Sequence, residues 1–235
     1  MKRDDIIKKI LPNSVEITPQ GFPTLELSDK EIESKLGIFF AQILEIHKSD
    51  ISEIDGYGEF DEDGILKYSS FKEFIVSTFL ETNEGYWLNW KEMFETTVLD
   101  KEFFNDYYDK MINLSSYCEG KRYLVNNNTF FDYMITDGKD ALGFPDWSRS
   151  GITDYLLDIF LMDLEKPHLL IMEKFYDYCK LNSLELENFK QRYLCMAYFK
   201  SLDTLRWHAS IDDKESCEGI MKTMTELKAR TERLN

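Results

Sequence analysis

A short β-like section interrupts a chain whose other hydrophobic patterns are helical. Three runs, RYLVNN at 122–127, FFDYMITDG at 130–138 and ALGFPDW at 141–147, are rich in aromatic and β-branched residues. Asparagine-rich turns and the pair Asp137-Gly138 separate them, and such pairs favour tight turns between strands. The sequence therefore predicts a mainly α fold with a small β-hairpin region at 122–147.

Helices are predicted on both sides of this section. Ser28 followed by Glu31 forms a capping box, and apolar residues then recur at helical spacing up to His47. Upstream, three prolines between residues 12 and 23 exclude a long helix, and the acidic, glycine-containing run 54–64 indicates an exposed loop. Further helices are expected as three between 70 and 115, and then at 154–164, 168–181, 187–209 and 213–233.

The composition restricts the class of protein. The 235 residues, 43% of them hydrophobic, suffice for one large domain or two small ones. A formal net charge of −16 repels nucleic-acid phosphates and attracts cations, so we expect no nucleic-acid partner. No run approaches the roughly 18 apolar residues of a membrane helix, and the charged start is unlike a signal peptide, so we expect a cytoplasmic protein with no membrane partner. The cysteines form no CxxC pair and are expected to be ordinary buried or half-buried thiols.

The second half of the β-like section carries a family resemblance. The stretch from Arg122 to Leu164, above all FPDWSRSGITDYLLD, resembles the catalytic core of the aminoglycoside phosphotransferases, particularly the hygromycin-type branch. The resemblance implies a protein-kinase-like C-lobe. It places Asp146, followed by Trp147, at the family's metal-binding position. It also places Asp154 at a helix cap, and Asp158 where the family has the carboxylate that braces the catalytic loop.

The first half departs from the family pattern of His-Gly-Asp, four variable residues and Asn. In the alignment, Asn126, Asn127 and Asn128 replace His-Gly-Asp, and Tyr133 replaces the metal-binding Asn. An amide cannot accept the proton of a substrate hydroxyl as a carboxylate does, and a phenol is a poor magnesium ligand. Asn126, Asn128 and Tyr133 are therefore predicted to be degenerate catalytic positions. Loss of a general base typically lowers the rate by about 10²- to 10⁴-fold. The alternative is a shifted loop with Asp132 as the base.

The segment before residue 27 is too short for a nucleotide-binding lobe. Such a lobe needs about five strands of five to six residues, a phosphate-covering loop and a lysine on a central strand. The run DIIKKILPNSVEI resembles the family's opening helix and first strand, and LELSDKEIESKLGIFF resembles the helix that leads into the C-lobe. We therefore predict a remnant N-terminal segment at 1–26 and a kinase-like C-lobe, lacking a complete N-lobe, at 27–235. No cofactor is expected, and ATP or GTP with magnesium is implied only if the chain is an active enzyme.

A set of acidic and aromatic residues is predicted to bind a cationic ligand. Family C-lobes bind polycationic aminocyclitol sugars in an acidic cleft, and carboxylates and indole faces suit such cations. The predicted ligand-binding residues are Glu84, Trp87, Trp90, Glu92, Asp146, Asp203, Trp207 and Asp212. In the alternative interpretation the indoles are core, the acids are solvated, and Asp146 is a turn cap. His47, His168 and His208 lack metal-ligand spacing and are expected to have packing or surface roles.

Three functions remain open from the sequence. The first is a catalytically impaired phosphotransferase-like protein, a pseudokinase that binds or senses a cationic small molecule such as an aminoglycoside. The second is a protein-interaction module or homodimer that uses the surface exposed by loss of the N-lobe. The third is an active aminoglycoside phosphotransferase, an antibiotic-resistance enzyme whose catalytic loop tolerates these departures.

Overall fold

The computed structural model divides the chain into two compact units. Unit 1 comprises residues 1–69 and 121–186, and unit 2 comprises residues 70–120 and 187–235. The predicted boundary between residues 26 and 27 adjoins a segment outside the described residues and stays a prediction. The structure describes residues 2–11, 27–83, 85–131, 135–136, 141–144 and 146–234.

The secondary structure is mainly helical with short strands, which confirms the predicted fold class. The helices of the described residues are α1 (Arg3–Ile10), α2 (Asp29–His47), α3 (Phe71–Thr78), α4 (Met93–Thr96), α5 (Lys101–Leu114), α6 (Leu156–Glu165), α7 (Ile171–Leu181), α8 (Phe189–Ser210) and α9 (Lys214–Glu232). The strands are β1 (Gly58–Glu59), β2 (Tyr123–Val125), β3 (Ile135–Thr136), β4 (Ala141–Gly143) and β5 (Gly151–Thr153).

Local capping signals set where several helices begin. The predicted capping box forms at α2, where the Ser28 N–H donates to the Glu31 carboxylate at 2.9 Å. The Ser70 hydroxyl accepts a backbone N–H at the start of α3, and the Asp100 carboxylate does so at α5. These side chains satisfy N–H groups that the first helical turn leaves without partners.

One predicted helix is wrong. The aromatic stripe from Tyr86 to Phe94 forms two short 3-10 turns, Gly85–Trp87 and Trp90–Glu92, before α4 begins. Asn89 lies between the turns in the left-handed conformation, with φ 56°. An α-helix cannot pass through a residue in that conformation, so the stripe divides there.

The sheet of unit 1 is antiparallel, with strand order β1-β5-β2. Ile152 of β5 lies opposite Gly58 on one side and Leu124 on the other. Glycine at 151 allows the close approach of β1, because a Cβ there would lie 2.1 Å from the Gly58 carbonyl oxygen.

The predicted strand pairing is partly wrong. A hairpin pairing exists between β3 and β4, but β2 pairs with β5, which the sequence pattern did not assign as a strand. Strand β1 lies within the run 54–64, which was expected to be an exposed loop.

Helix α1 packs against this sheet within unit 1. A buried apolar cluster joins the helix to the strands, and its members are Ile6, Ile7, Phe60, Leu124 and Ile152. The Arg3 guanidinium also donates to the Ser148 carbonyl at 2.8 Å. Helix α1 therefore covers an apolar surface of this sheet.

Unit 2 packs α8 between α5 and α9. Aromatic side chains fill its core: the Phe79 ring lies 5.8 Å from Phe104 and 6.0 Å from Phe199, in edge-on arrangements. The cysteines Cys118, Cys179, Cys195 and Cys217 of the two units are free and buried, as predicted. Among the described residues, the structure contains no helix long and apolar enough to cross a membrane.

Candidate functional site

Asp158 of α6 holds the loop that follows β2. Its carboxylate accepts the N–H of Asn126 at 3.1 Å, the N–H of Asn127 at 2.9 Å and the Thr129 hydroxyl at 2.8 Å. Asp158 is 2% exposed, because α6 is buried along nearly its whole length. A buried carboxylate with three donors stabilises one loop conformation, which is the geometry that a loop brace needs.

His47 is a fourth neighbour of that carboxylate, and sequence reasoning missed it. Its Nε2 lies 3.4 Å from the Asp158 carboxylate, and its ring stacks on Tyr155 with centroids 4.9 Å apart. His47 is the last residue of α2 and follows Ile43 by four positions on the buried face. A polar residue at the end of that apolar stripe was the available signal, because a buried imidazole requires a polar partner.

Residues 126–129 and Asp146 form a group that we call the loop cluster, in which Asn128 is half-buried and Asp146 is exposed. The Asn128 amide donates to one Asp146 carboxylate oxygen at 3.0 Å, and the Ser148 N–H donates to the other at 3.0 Å. The Asn126 amide donates to the Asp146 carbonyl at 3.2 Å. Thus the predicted positions Asn126, Asn128 and Asp146 do lie together, and an amide faces the carboxylate at the predicted metal position.

The described residues around Asp146 include no second carboxylate for a magnesium ion. Magnesium prefers an octahedral set of oxygen ligands, whereas both Asp146 carboxylate oxygens here face N–H donors. Within the described ranges, no group of three or more His, Cys, Asp and Glu side chains is placed to hold a metal ion. Tyr133, the predicted second position, and Asp132, the alternative base, lie outside the described residues.

Asn127 connects the loop to a surface ion pair that the sequence did not predict. Its amide donates to the Glu59 carboxylate at 2.7 Å, and the Arg149 guanidinium lies 2.8 Å from the same carboxylate oxygen. Asn127 has φ 56°, a left-handed conformation that asparagine tolerates better than most residues. The loop is thereby tied to β1 and to the turn before β5.

Asp154 is buried just before α6. Its carboxylate accepts the Leu156 N–H at 3.1 Å, and its exposed fraction is 0%. The helix N-cap is Tyr155, so Asp154 lies one residue outside the cap position proper. Its carboxylate nevertheless satisfies one N–H of the first turn, which is the chemical task of a cap.

In unit 2 the guanidinium of Arg206 lies against two of the aromatic rings that were predicted to bind a ligand. The centre of its guanidinium lies 4.0 Å from the Trp87 ring, 4.8 Å from Phe79 and 5.0 Å from Trp90. Its Nη2 lies 2.8 Å from the Asp203 carboxylate. Burial lowers the pKa of Arg206, while the adjacent Asp203 carboxylate opposes that shift.

This arrangement bears on three predicted ligand contacts, which stay predictions. Trp87, Trp90 and Asp203 bind a cation that belongs to the chain itself, and Trp90 is buried with its indole N–H donated to the Phe79 carbonyl. Their residue types suit a cation, and the cation that they contact in the structure is Arg206 of α8. The sequence signal was an arginine on the buried face of a long helix.

The remaining predicted residues differ in position. Trp207 is 47% exposed and its ring lies 5.5 Å from that of Tyr86, whose hydroxyl hydrogen bonds with Ser210. Glu92 and Asp212 are exposed carboxylates of the same unit. Glu84 lies outside the described residues, and Asp146 belongs to unit 1.

An acid-lined groove in unit 1 was not predicted. It has a volume of about 530 Å³, and its apolar lining consists of isoleucine and leucine side chains from α1 and residues 54–66. Its carboxylates are Asp50, Glu53, Asp55 and Asp63, and Lys9 is paired with Glu53 at 2.5 Å. Cations therefore have more than one acidic surface to approach.

Comparisons with known proteins agree with the kinase-like arrangement. No protein-family model matches the sequence. The crystal structure of the aminoglycoside phosphotransferase APH(4)-Ia has a TM-score of 0.70 at 19% identity, covering 90% of this chain and 69% of that chain. The chain has an aminoglycoside-phosphotransferase-like fold. Choline kinase LicA from Streptococcus pneumoniae is also similar, with a TM-score of 0.51 at 12% identity over 97% of this chain and 79% of that one.

A curated relative points to the same branch. Hygromycin-B 4-O-kinase from Escherichia coli is 22% identical over 155 residues, which cover 66% of this chain and 44% of that kinase. This chain therefore matches less than half the length of that relative. The resemblance read from FPDWSRSGITDYLLD is confirmed at the level of the fold.

Proposed function

We propose that the chain is a catalytically impaired aminoglycoside-phosphotransferase-like protein that binds a cationic small molecule such as an aminoglycoside. The hydrogen bond from the Asn128 amide to the Asp146 carboxylate carries this proposal. The family pattern has a carboxylate where Asn128 stands. In this chain the Asn128 amide takes the place of that carboxylate and donates to the Asp146 carboxylate.

This exchange removes the proton acceptor from the position that needs one. Phosphoryl transfer requires a carboxylate to orient the substrate hydroxyl and metal ions to neutralise the phosphate oxygens. An amide offers no carboxylate, and the Asp146 oxygens face N–H donors. If the chain were an active enzyme, residues other than Asn128 would have to supply the base, and residues in addition to Asp146 would have to hold the metal ion.

A cationic ligand is supported by charge and by the relatives. The net charge is −16, and a thermostable mutant of APH(4)-Ia forms a ternary complex with AMP-PNP and hygromycin B. We propose that a ligand ammonium group replaces the Asn128 amide as the donor to Asp146, because a charge-assisted hydrogen bond is stronger than a neutral one. The ligand roles predicted for Glu84, Glu92, Trp207 and Asp212 stay separate predictions and are not assigned to this site.

Calorimetric titration of hygromycin B into the wild type and Asp146→Asn tests this function. We expect saturable one-to-one binding to the wild type that weakens between about 0.05 M and about 0.3 M salt. Asp146→Asn should weaken it by about tenfold or more, because it removes the ionised acceptor.

Asp63→Asn is the matched control, because it removes one negative charge from the acid-lined groove of the same unit. It should leave the affinity within about twofold of the wild type, since it changes the net charge by the same amount without removing an acceptor at the proposed site, and exposed charges contribute little. A loss with Asp63→Asn but not with Asp146→Asn would place the ligand in the groove and contradict the proposed site. Non-saturating heats from all three proteins would contradict ligand binding itself.

An interaction function is the second candidate. Large apolar side chains are exposed in unit 2: Tyr86 by 58%, Leu88 by 57%, Trp207 by 47% and Ile211 by 53%. Exposed apolar groups in one region favour association with another protein surface, here a second copy of the chain. Sedimentation velocity across a concentration series should then show a dimer that Trp207→Ser dissociates, whereas a monomer at every concentration would exclude it.

A further inference from the structure

The hydrogen-bond donors around Asp158 form a complete set only when His47 is included. One carboxylate oxygen accepts from Asn127 and Thr129. The other accepts from the Asn126 N–H and faces His47 Nε2 at 3.4 Å. Each oxygen thus has two neighbouring donors, which matches the two lone pairs that a carboxylate oxygen offers.

The surroundings of His47 assign a direction to this contact. Both side chains of the pair are 3% exposed, and His47 Nδ1 is buried with no hydrogen-bond partner among the described residues. An ionised carboxylate only accepts, so the nitrogen that faces it must carry a proton. The neutral form with a proton on Nε2 satisfies Asp158 and leaves an acceptor, rather than a second N–H donor, buried at Nδ1.

We infer that His47 is a positioning residue of the candidate site, which acts through Asp158 on the loop that carries Asn128. The chain of contacts is short. Asp158 fixes the Asn126 backbone, the Asn126 amide donates to the Asp146 carbonyl, and the Asn126 side-chain oxygen accepts the Asn128 N–H at 3.0 Å. Removing the His47 proton donor should therefore change the Asn128 and Asp146 geometry that the proposed function uses.

Simple packing is the competing explanation for His47. The ring stacks on Tyr155 and lies 6.3 Å from the Tyr123 ring, so it also fills space beside two aromatic residues. Two substitutions separate packing from hydrogen bonding. His47→Phe retains an aromatic ring and loses the donor, whereas His47→Gln loses the ring and can place an amide N–H near the position of Nε2.

Amide hydrogen exchange at Asn126 and Asn127 provides a readout that needs no ligand. Ile43→Val, one turn earlier on the buried face of α2, is the control for general loss of packing. Global stability is measured in parallel, and exchange rates are compared at matched free energies of unfolding. Relative to this control, His47→Phe should raise exchange of both amides by about tenfold or more, and His47→Gln should stay within about threefold of the wild type.

The imidazole tautomer can be measured on the wild type without any substitution. Long-range proton–nitrogen NMR correlations should show a proton on Nε2 of His47 at neutral pH. A proton on Nδ1 alone would overturn the inference, because a bare Nε2 cannot donate to Asp158. Equal exchange in His47→Phe and Ile43→Val at matched stability would also overturn it.

The ligand consequence rests on the proposed function. Hygromycin B affinity should fall by about tenfold in His47→Phe and be restored in His47→Gln if the loop geometry is shared by both effects. Absence of hygromycin B binding to the wild type would reject the proposed function alone. The exchange and tautomer measurements would still decide whether His47 positions the loop.

Discussion

Neutralising Asp203 should destabilise the protein more than removing the charge of Arg206. The Asp203 carboxylate lies 2.8 Å from Arg206 and 3.9 Å from Lys200, whose side chains are 0% and 7% exposed. Asp203→Asn removes the carboxylate that faces both of these buried cations. Arg206→Met instead removes the charge that burial disfavours and leaves a flexible apolar side chain against Trp87 and its neighbours.

The magnitude follows from what each substitution leaves behind. Removing one partner of a buried ion pair typically costs about 3–5 kcal/mol. The lower end applies, because the Asp203 side chain is 18% exposed and Arg206 keeps both the Thr78 carbonyl and three ring contacts, worth about 0.5–2 kcal/mol each. Arg206→Met loses those contacts. It also removes a buried charge and a buried Nε that has no hydrogen-bond partner in the described part of the chain, so we expect a loss of stability of only about 1 kcal/mol.

Urea denaturation followed by tryptophan fluorescence and circular dichroism measures both free energies of unfolding. We expect a loss of about 3 kcal/mol for Asp203→Asn, and a double variant about as stable as Arg206→Met alone. The reasoning would be refuted if Arg206→Met were the more damaging single substitution. A loss below about 1 kcal/mol for Asp203→Asn would also refute it.

Three further predictions concern the sheet, the loop and a helix cap. Gly151→Ala should cost more than about 3 kcal/mol in thermal or urea unfolding, because its Cβ would lie 2.1 Å from a carbonyl oxygen of β1; a loss below about 1 kcal/mol would contradict that close approach. Asn128→Asp, alone or with Tyr133→Asn, should give no phosphorylated aminoglycoside by phosphorus NMR, and detectable product would contradict the predicted lack of a nucleotide-binding site. Asn128→Asp should also lower stability at neutral pH by about 1 kcal/mol, because two carboxylates then face each other. Hydrogen bonds from Ser216 hold the pKa of Asp213 below its ordinary range, so the stabilisation of α9 by this carboxylate is present above the ordinary carboxyl pKa and is lost as the pH falls through the lowered folded value. The melting temperatures of the wild type and Asp213→Ala should therefore converge in acid, and a constant difference from neutral pH down to pH 2 would contradict the assignment.

The helical part of the fold could be predicted because its signals are local. The capping box at Ser28 and the apolar spacing that follows it lie within one helix, and both act there as predicted. The stripe from Tyr86 to Phe94 failed because one asparagine adopts a left-handed conformation, which spacing alone does not reveal. Local patterns report the preference of a segment and not the backbone angle at a single residue.

The small sheet could not be predicted in full because its strands have two or three residues and pair across long sequence distances. Gly58 and Glu59 pair with β5, which lies beyond the whole of unit 2's first segment in the chain. A run this short cannot show the alternation that identifies a strand. Only the β3 and β4 pairing, which joins neighbours in sequence, followed from turn residues.

The candidate site was predicted in its residue types better than in its contacts. Asn126, Asn128 and Asp146 were placed by a motif and do meet in the structure. Arg206 and His47 were missed because each acts on residues more than a hundred positions away, and helical periodicity marks such positions only as buried. A buried charged or titratable residue on an apolar helix face is the signal that can identify them.

Calorimetric titration of hygromycin B into the protein with ATP and magnesium present tests the central claim most directly. Binding gives heats that return to baseline after each injection, whereas turnover gives sustained thermal power until substrate is exhausted. The account predicts saturable heats with a complete return to baseline, greatly weakened in Asp146→Asn. Sustained power in the wild type would show an active phosphotransferase, and the absence of saturable heats would show that the cation-binding function is wrong.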